Sequence, residues 1–244
     1  MKRKLYDQLV IWKTKRHGKS AMMIEGARRV GKSYIVEEFA KNEYKSHIII
    51  DFFKVGDDIK DLFKNYRDNL DMLFIYLSTF YSTKLYPRES IIVFDEIEFC
   101  PAARAAIKYL VEDGRYDYLE TGSLLGMQMS TRKKLKSDEK QEDYLVPSEE
   151  EKMVLQPMDF EEFLWALGEE NLMEFVRMKF EIKEPVGQSM HRKLMDYFRL
   201  YMIVGGMPQA VMEYLETRSF EDVDRVKRQI LNLYNNCIDQ YAGI

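Results

Sequence analysis

The chain has 244 residues, 46% hydrophobic and 32% charged, with 37 basic side chains against 41 acidic ones for a net charge of −4. That composition excludes wholesale disorder and argues against a surface that binds nucleic acid through its overall field, though not against a local basic patch. Its two cysteines, Cys100 and Cys237, exclude a disulfide scaffold and point to a reducing, cytoplasmic compartment.

The N-terminal Met1-Lys-Arg-Lys-Leu-Tyr stretch has basic residues with no apolar core behind it, so it does not read as a secretory signal. Leu5, Leu9 and Trp12 recur at helical spacing, which predicts an amphipathic helix over 4–16. Ala21–Glu25 is a short apolar run ending at a glycine, the pattern of a buried strand. Ile35, Val36, Phe39 and Ala40 then share one helical face. Three more short runs, 47–51, 91–95 and 116–121, read as strands, and a fifth is expected at about 152–156. Helical patterns fill the gaps, at about 57–83 and at 102–113 with Ala103, Ile107 and Leu110 on one face. Leu73–Phe80 is apolar but interrupted by Ser78 and Thr79, and reads as buried helix. No run approaches the roughly 20 apolar residues of a membrane span, so no membrane partner is expected. Strands alternating with helices predict an α/β domain with a mostly parallel sheet.

Ser130–Glu151 is the most polar stretch, opening with Arg132, Lys133, Lys134 and Lys136 and then turning acidic. It reads as a solvated loop, with a phosphate or nucleic-acid contact as the alternative. Beyond it only helical periods remain. Asp159 followed by Glu162 has the form of a helix N-cap with its acidic partner. Leu194, Met195, Phe198, Tyr201 and Met202 form one stripe, and Val223, Val226, Ile230 and Leu233 another. These changes place a boundary near residue 157, dividing the chain into 1–157 and 158–244. His17, His47 and His191 do not fall at ligand spacing with cysteines or acids, so no zinc site is expected.

Two motifs carry chemistry. Gly26-Ala27-Arg28-Arg29-Val30-Gly31-Lys32-Ser33 matches G-x-x-x-x-G-K-[ST], between an expected strand and an expected helix that opens Lys32-Ser33-Tyr34. Such a loop curls round an anion because glycine tolerates angles that a Cβ forbids. Its amides and the helix N-terminus then face the phosphates, with Lys32 on the β- and γ-phosphates and Ser33 on Mg²⁺. Arg28 and Arg29 face either solvent or a phosphate or neighbouring subunit. Ile91-Ile-Val-Phe-Asp95-Glu96 is an apolar strand ending in an acidic pair, with Asp95 placed to hold Mg²⁺ and Glu96 to polarise water. The water-activating Glu96 favours hydrolysis over transfer to a metabolite. A guanine-specifying Asn/Thr-Lys-x-Asp stretch does not follow the loop, which favours ATP. Thr121, at the end of the fourth strand, is the first candidate to face the γ-phosphate. Ser123 is the second, or else caps a helix from Leu124.

Together with Pro157–Phe163 and Val204-Gly-Gly-Met-Pro208, these motifs resemble the AAA+-type P-loop ATPases of bacteria and archaea that carry a C-terminal domain of unknown function. The resemblance implies a parallel sheet of order 5-1-4-3-2, followed by an all-helical or winged-helix lid region that contains Gly205–Pro208. It also implies ATP and Mg²⁺ as ligands, Asp95 as metal residue, Glu96 as catalytic base, and Thr121 near the sensor position. Family members continue beyond the point where this sequence stops, so a truncated product is expected. An arginine finger is not marked by a motif, with Arg104, Arg115 and Arg132 as candidates. A homo-oligomer stays open. So does a nucleotide-dependent switch or scaffold that binds DNA or a protein partner with little turnover.

Overall fold

The computed structural model describes residues 1–123 and 148–242. Five parallel strands form one sheet: β1 (Ala21–Gly26), β2 (Ser46–Asp51), β3 (Ser90–Asp95), β4 (Asp117–Ser123) and β5 (Glu150–Leu155), in the order β2-β3-β4-β1-β5. This is the expected P-loop arrangement. Residues 150 and 151, read as the end of a solvated loop, instead begin β5. Lys133 and its basic neighbours, and any helix from Leu124, lie outside the described residues.

Two compact units divide the chain. One comprises Leu5–Ala27 and Gly31–Leu155 and contains the sheet. Every residue of β3 and β4 is buried, which suits strands flanked on both edges. Around them lie α1 (Lys4–Arg16), α2 (Lys32–Glu43), α3 (Asp57–Asn65), α4 (Leu70–Phe80) and α5 (Pro101–Asp113). Ala21, Met23, Ile48, Ile50, Ile92 and Phe94, alternate residues of three strands, share one apolar cluster with α3, α4 and α5. Elsewhere in the unit Phe39 of α2 packs its ring against Tyr6 and Trp12 of α1, at 5.8 and 6.4 Å. The helical pattern over 57–83 resolves into two helices. The first closes at Tyr66, and Asn69 caps the second by accepting from the Met72 N–H, so a local side-chain cap breaks a periodicity that runs on unbroken in the sequence.

The other unit comprises Met1–Lys4, Arg28–Val30 and Gln156–Ile244. It is helical: α6 (Phe160–Ala166), α7 (Leu172–Glu181), α8 (Gln188–Val204), α9 (Pro208–Thr217) and α10 (Phe220–Ala242). Asp159 and Glu162 form the full reciprocal capping box at the start of α6. Arg3, 6% exposed, donates to the carbonyls of Val30 (3.1 Å) and Gln156 (2.5 Å). The Tyr234 hydroxyl donates to the Arg28 carbonyl at 2.6 Å. Val223, Val226 and Ile230 of α10 are buried as read. Of the α8 stripe, Tyr201 packs against the core as read and Leu194 and Met195 are half-buried, but Phe198 and Met202 are exposed, and Leu200 and Val204 join Tyr201 at the core. No described helix is long and apolar enough to cross a membrane.

Between α8 and α9, Gly205 adopts φ 81° and Gly206 lies against the backbone of Met158, whose N–H donates to the Gly206 carbonyl at 2.7 Å. A Cβ on Gly206 would sit 2.1 Å from the Met158 carbonyl oxygen. Gly206→Ala is expected to destabilise this unit by about 1–3 kcal/mol in denaturant unfolding; an unchanged midpoint would contradict the packing. Glu161, 7% exposed, accepts from both guanidinium nitrogens of Arg177 and pairs with Lys4 at 2.7 Å. The Arg177 hydrogen bonds hold its carboxyl down to about 2, against the opposing effect of burial. Because the folded-state value lies below the ordinary 4.5, this stabilisation is present above pH 4.5 and is lost as pH falls toward 2. Acid unfolding should show that loss, and Glu161→Gln should flatten it.

Candidate functional site

The glycine-bounded loop begins where β1 ends. Gly26 is still strand, aligned with Ser123 on one side and Leu155 on the other. The left-handed angles fall instead on Arg29 (φ 65°) and Gly31 (φ 97°). Gly31 takes such angles at no steric cost and caps α2, whose first backbone bond runs from Ile35 N–H to the Gly31 carbonyl at 3.1 Å. No acidic residue occupies the first turn of α2, so nothing on the helix offsets the positive end of its dipole. Val30 is buried, Ala27 and Arg28 are half-buried, and Arg29, Ser33 and Tyr34 are exposed.

Lys32 is only 5% exposed. Its Nζ folds back across the loop and donates to the carbonyls of Gly26 and Ala27, both at 3.1 Å. One residue on, the Ser33 hydroxyl donates to Oδ1 of Asp95 at 3.2 Å. Asp95 closes β3 and is 7% exposed. The same Oδ1 accepts the hydroxyl of Thr121, a fully buried residue of β4. Thr121 Oγ in turn accepts the backbone N–H of Glu96 at 3.2 Å. The structure therefore brings Lys32, Ser33, Asp95, Glu96 and Thr121 into one connected cluster at the carboxyl ends of β1, β3 and β4, the edge where open parallel sheets bind ligands.

Glu96 sits in a left-handed conformation (φ 54°, ψ 51°) that is costly for a residue with a Cβ. Burial, helped by the adjacent charge of Glu98, pushes its carboxyl up to about 7, and Lys32 pulls in the opposite direction. Glu98 lies in the single 3₁₀ turn after it, Ile97–Phe99. Its Oε1 accepts both the backbone N–H of Ser123 (3.1 Å) and the Ser123 hydroxyl (2.8 Å).

The family described as an AAA domain matches residues 18–164, a span that contains this whole cluster. The chain belongs to the AAA family of P-loop ATPases. Two solved structures are similar to it. One is the Walker-type ATPase PABY2304 of Pyrococcus abyssi, 15% identical, with a TM-score of 0.49 over 99% of this chain and 74% of that one. The other is PCH-2 of C. elegans, 14% identical, with a TM-score of 0.36 over 92% of this chain and 65% of that one, less than two thirds of its length. No curated protein sequence matches the chain.

Within this AAA domain two of the arginine candidates are engaged by their own chain. Arg104 donates to both carboxylate oxygens of Glu150, at 3.3 and 3.2 Å. Arg115 bonds Asp113 at 2.7 Å and Asp71 at 2.6 Å. Arg132 lies outside the described residues. Two acids escaped the reading of the sequence. Glu98 stands two positions after Glu96, and that spacing was its only signal. Glu120, next to Thr121, is fully buried, and neither of its oxygens has a hydrogen-bond partner among the described residues. Burial first, and then the charge of Glu150, push its carboxyl well above the ordinary range.

Thr121→Val keeps the volume and removes the hydroxyl that joins Asp95 to the Glu96 amide. It is expected to destabilise the sheet unit by about 1–3 kcal/mol, because an acceptor and a donor lose a partner together. Denaturant unfolding measures this, and no change in midpoint would contradict the bridging role.

Proposed function

We propose that the chain binds ATP with Mg²⁺ and hydrolyses it, with residues 1–157 as the ATPase domain and 158–244 as a helical region. The observation that carries this reading is the convergence of the Ser33 and Thr121 hydroxyls on one oxygen of Asp95, beside an ammonium and a second carboxyl. The donor set suits the metal: a hydroxyl and a carboxylate, 3.2 Å apart, are the hard oxygens that Mg²⁺ prefers. Bound Mg²⁺ would neutralise charge on the phosphate oxygens, with Ser33 and Asp95 as the residues that hold it.

The remaining chemistry belongs to the chain. The amides of the Gly26–Ser33 loop and the start of α2 bind the phosphates, with Ala27, Arg28, Arg29, Val30, Gly31 and Tyr34 forming the rest of the loop and its exit. Lys32 exchanges its two carbonyl acceptors for phosphate oxygens and offsets the charge that develops on the γ-phosphoryl. Glu96 orients a water molecule and takes its proton as the water oxygen bonds to the γ-phosphorus. The bond to the β-phosphate oxygen breaks, releasing ADP and phosphate. A carboxyl raised to about 7 is matched to that exchange near neutral pH. Thr121 holds Asp95 and Glu96 in register.

Lys32→Ala is expected to abolish ATP binding, and Glu96→Gln to retain binding while losing turnover. Calorimetric titration and phosphate release measure the two separately. Equal loss of binding and turnover in Glu96→Gln would overturn the role given to Glu96. Tight binding by the wild-type protein without phosphate release would replace hydrolysis with the switch reading.

A further inference from the structure

The β3–β4 ladder stops one residue short of the site. Its last aligned pair is Phe94 and Glu120, whereas β4 continues beside β1 as far as Ser123. Past that point Asp95, Glu96 and the 3₁₀ turn have no backbone ladder to β4. On the opposite side Asp95 is still anchored, because its carbonyl accepts the Phe52 N–H at 3.0 Å. On the β4 side two side-chain links tie these residues down. Thr121 makes the first link, to the Asp95 carboxylate and the Glu96 amide. Glu98 makes the second, accepting the Ser123 N–H and hydroxyl on one oxygen. Glu96 therefore sits between two side-chain links, in a left-handed backbone state (φ 54°) that persists only where its surroundings over-determine it.

We infer that Glu98 is a positioning residue for hydrolysis, which fixes Glu96 by tying the turn that follows it to the end of β4 through Ser123. This inference rests on the catalytic role given to Glu96 above. Glu98 reaches Glu96 in two ways: its side chain hydrogen-bonds to the Glu96 carboxyl directly, and its tie to Ser123 acts on the Glu96 backbone through Ile97. Releasing the turn lets the Glu96 backbone relax toward ordinary angles and swings its carboxyl away from the attack position. The Gly26–Ser33 loop, which holds the phosphates, is not part of this link.

The test compares Glu98→Ala and Glu98→Gln with wild type. Three quantities are read: kcat for phosphate release, the dissociation constant of a nonhydrolysable ATP analogue with Mg²⁺, and the melting temperature. In Glu98→Ala, kcat is expected to fall about 10- to 100-fold, the scale of a small displacement of a catalytic group, with analogue affinity within about threefold of wild type. Glu98→Gln keeps an oxygen that can accept from Ser123 and is expected to recover at least about tenfold of that loss. A purely structural role would lower the melting temperature without this split between kcat and binding. Should Glu98→Ala fail to fold, Glu98→Asp keeps the charge and withdraws the acceptor, and the same split is expected there. Wild-type kcat in Glu98→Ala or Glu98→Asp, or equal losses in the Ala and Gln variants, would overturn the inference while leaving the ATPase reading intact. Absence of turnover in the wild-type protein would overturn that reading, and this inference with it.

Discussion

One oxygen atom, Oδ1 of Asp95, takes hydroxyl hydrogens from two directions. Ser33 reaches it from the start of α2 and Thr121 from the end of β4. A carboxylate that is 7% exposed needs such donors, since an ionised group removed from water without them is expensive. The same two donors fix where the carboxylate points. They bind three chain segments, distant in sequence, to a single point at the carboxyl edge of the sheet.

The strand order makes that point available. With β4 between β3 and β1, the acidic strand end and the phosphate loop lie one strand apart, and a side chain on β4 can bridge them. Short parallel strands reach this order through helical crossovers, and the helices bury the apolar residues on the two faces of the sheet. The stability of the apolar layers thus supports a polar cluster that would not hold together alone. Beyond the last ladder pair, cohesion passes from backbone to side chains, first through Thr121 and then through Glu98. The left-handed Glu96 lies within that zone, so a strained residue carries the carboxyl that the proposed chemistry needs.

Much of this was legible because the signals are local. Gly31, Lys32 and Ser33 stand at invariant offsets from Gly26, and four apolar residues lead straight into Asp95-Glu96. The Asp159–Glu162 capping box was legible for the same reason, since both partners lie within one helical turn. What could not be read depends on distance or on tertiary context. The break at Tyr66–Asn69 arises from a single side-chain cap inside a continuing helical period. The buried face of α8 is set by what packs against it: of the stripe Leu194, Met195, Phe198, Tyr201 and Met202, Tyr201 joins the core, with Leu200 and Val204 beside it, while Phe198 and Met202 stay exposed. Glu98 and Ser123 are far apart in sequence, and nothing in either segment announces the other. Glu120 has the composition of an exposed residue and the environment of a core one.

The central claim is that Asp95 and Ser33 hold a divalent cation against a triphosphate gripped by the loop. Equilibrium titration of a nonhydrolysable ATP analogue, with and without Mg²⁺, in the wild-type and Asp95→Asn proteins tests it most directly. The account predicts that Mg²⁺ tightens binding to the wild-type protein and that most of this tightening disappears in Asp95→Asn. Binding that ignores Mg²⁺ in both proteins, or the same Mg²⁺ dependence in both, would contradict it.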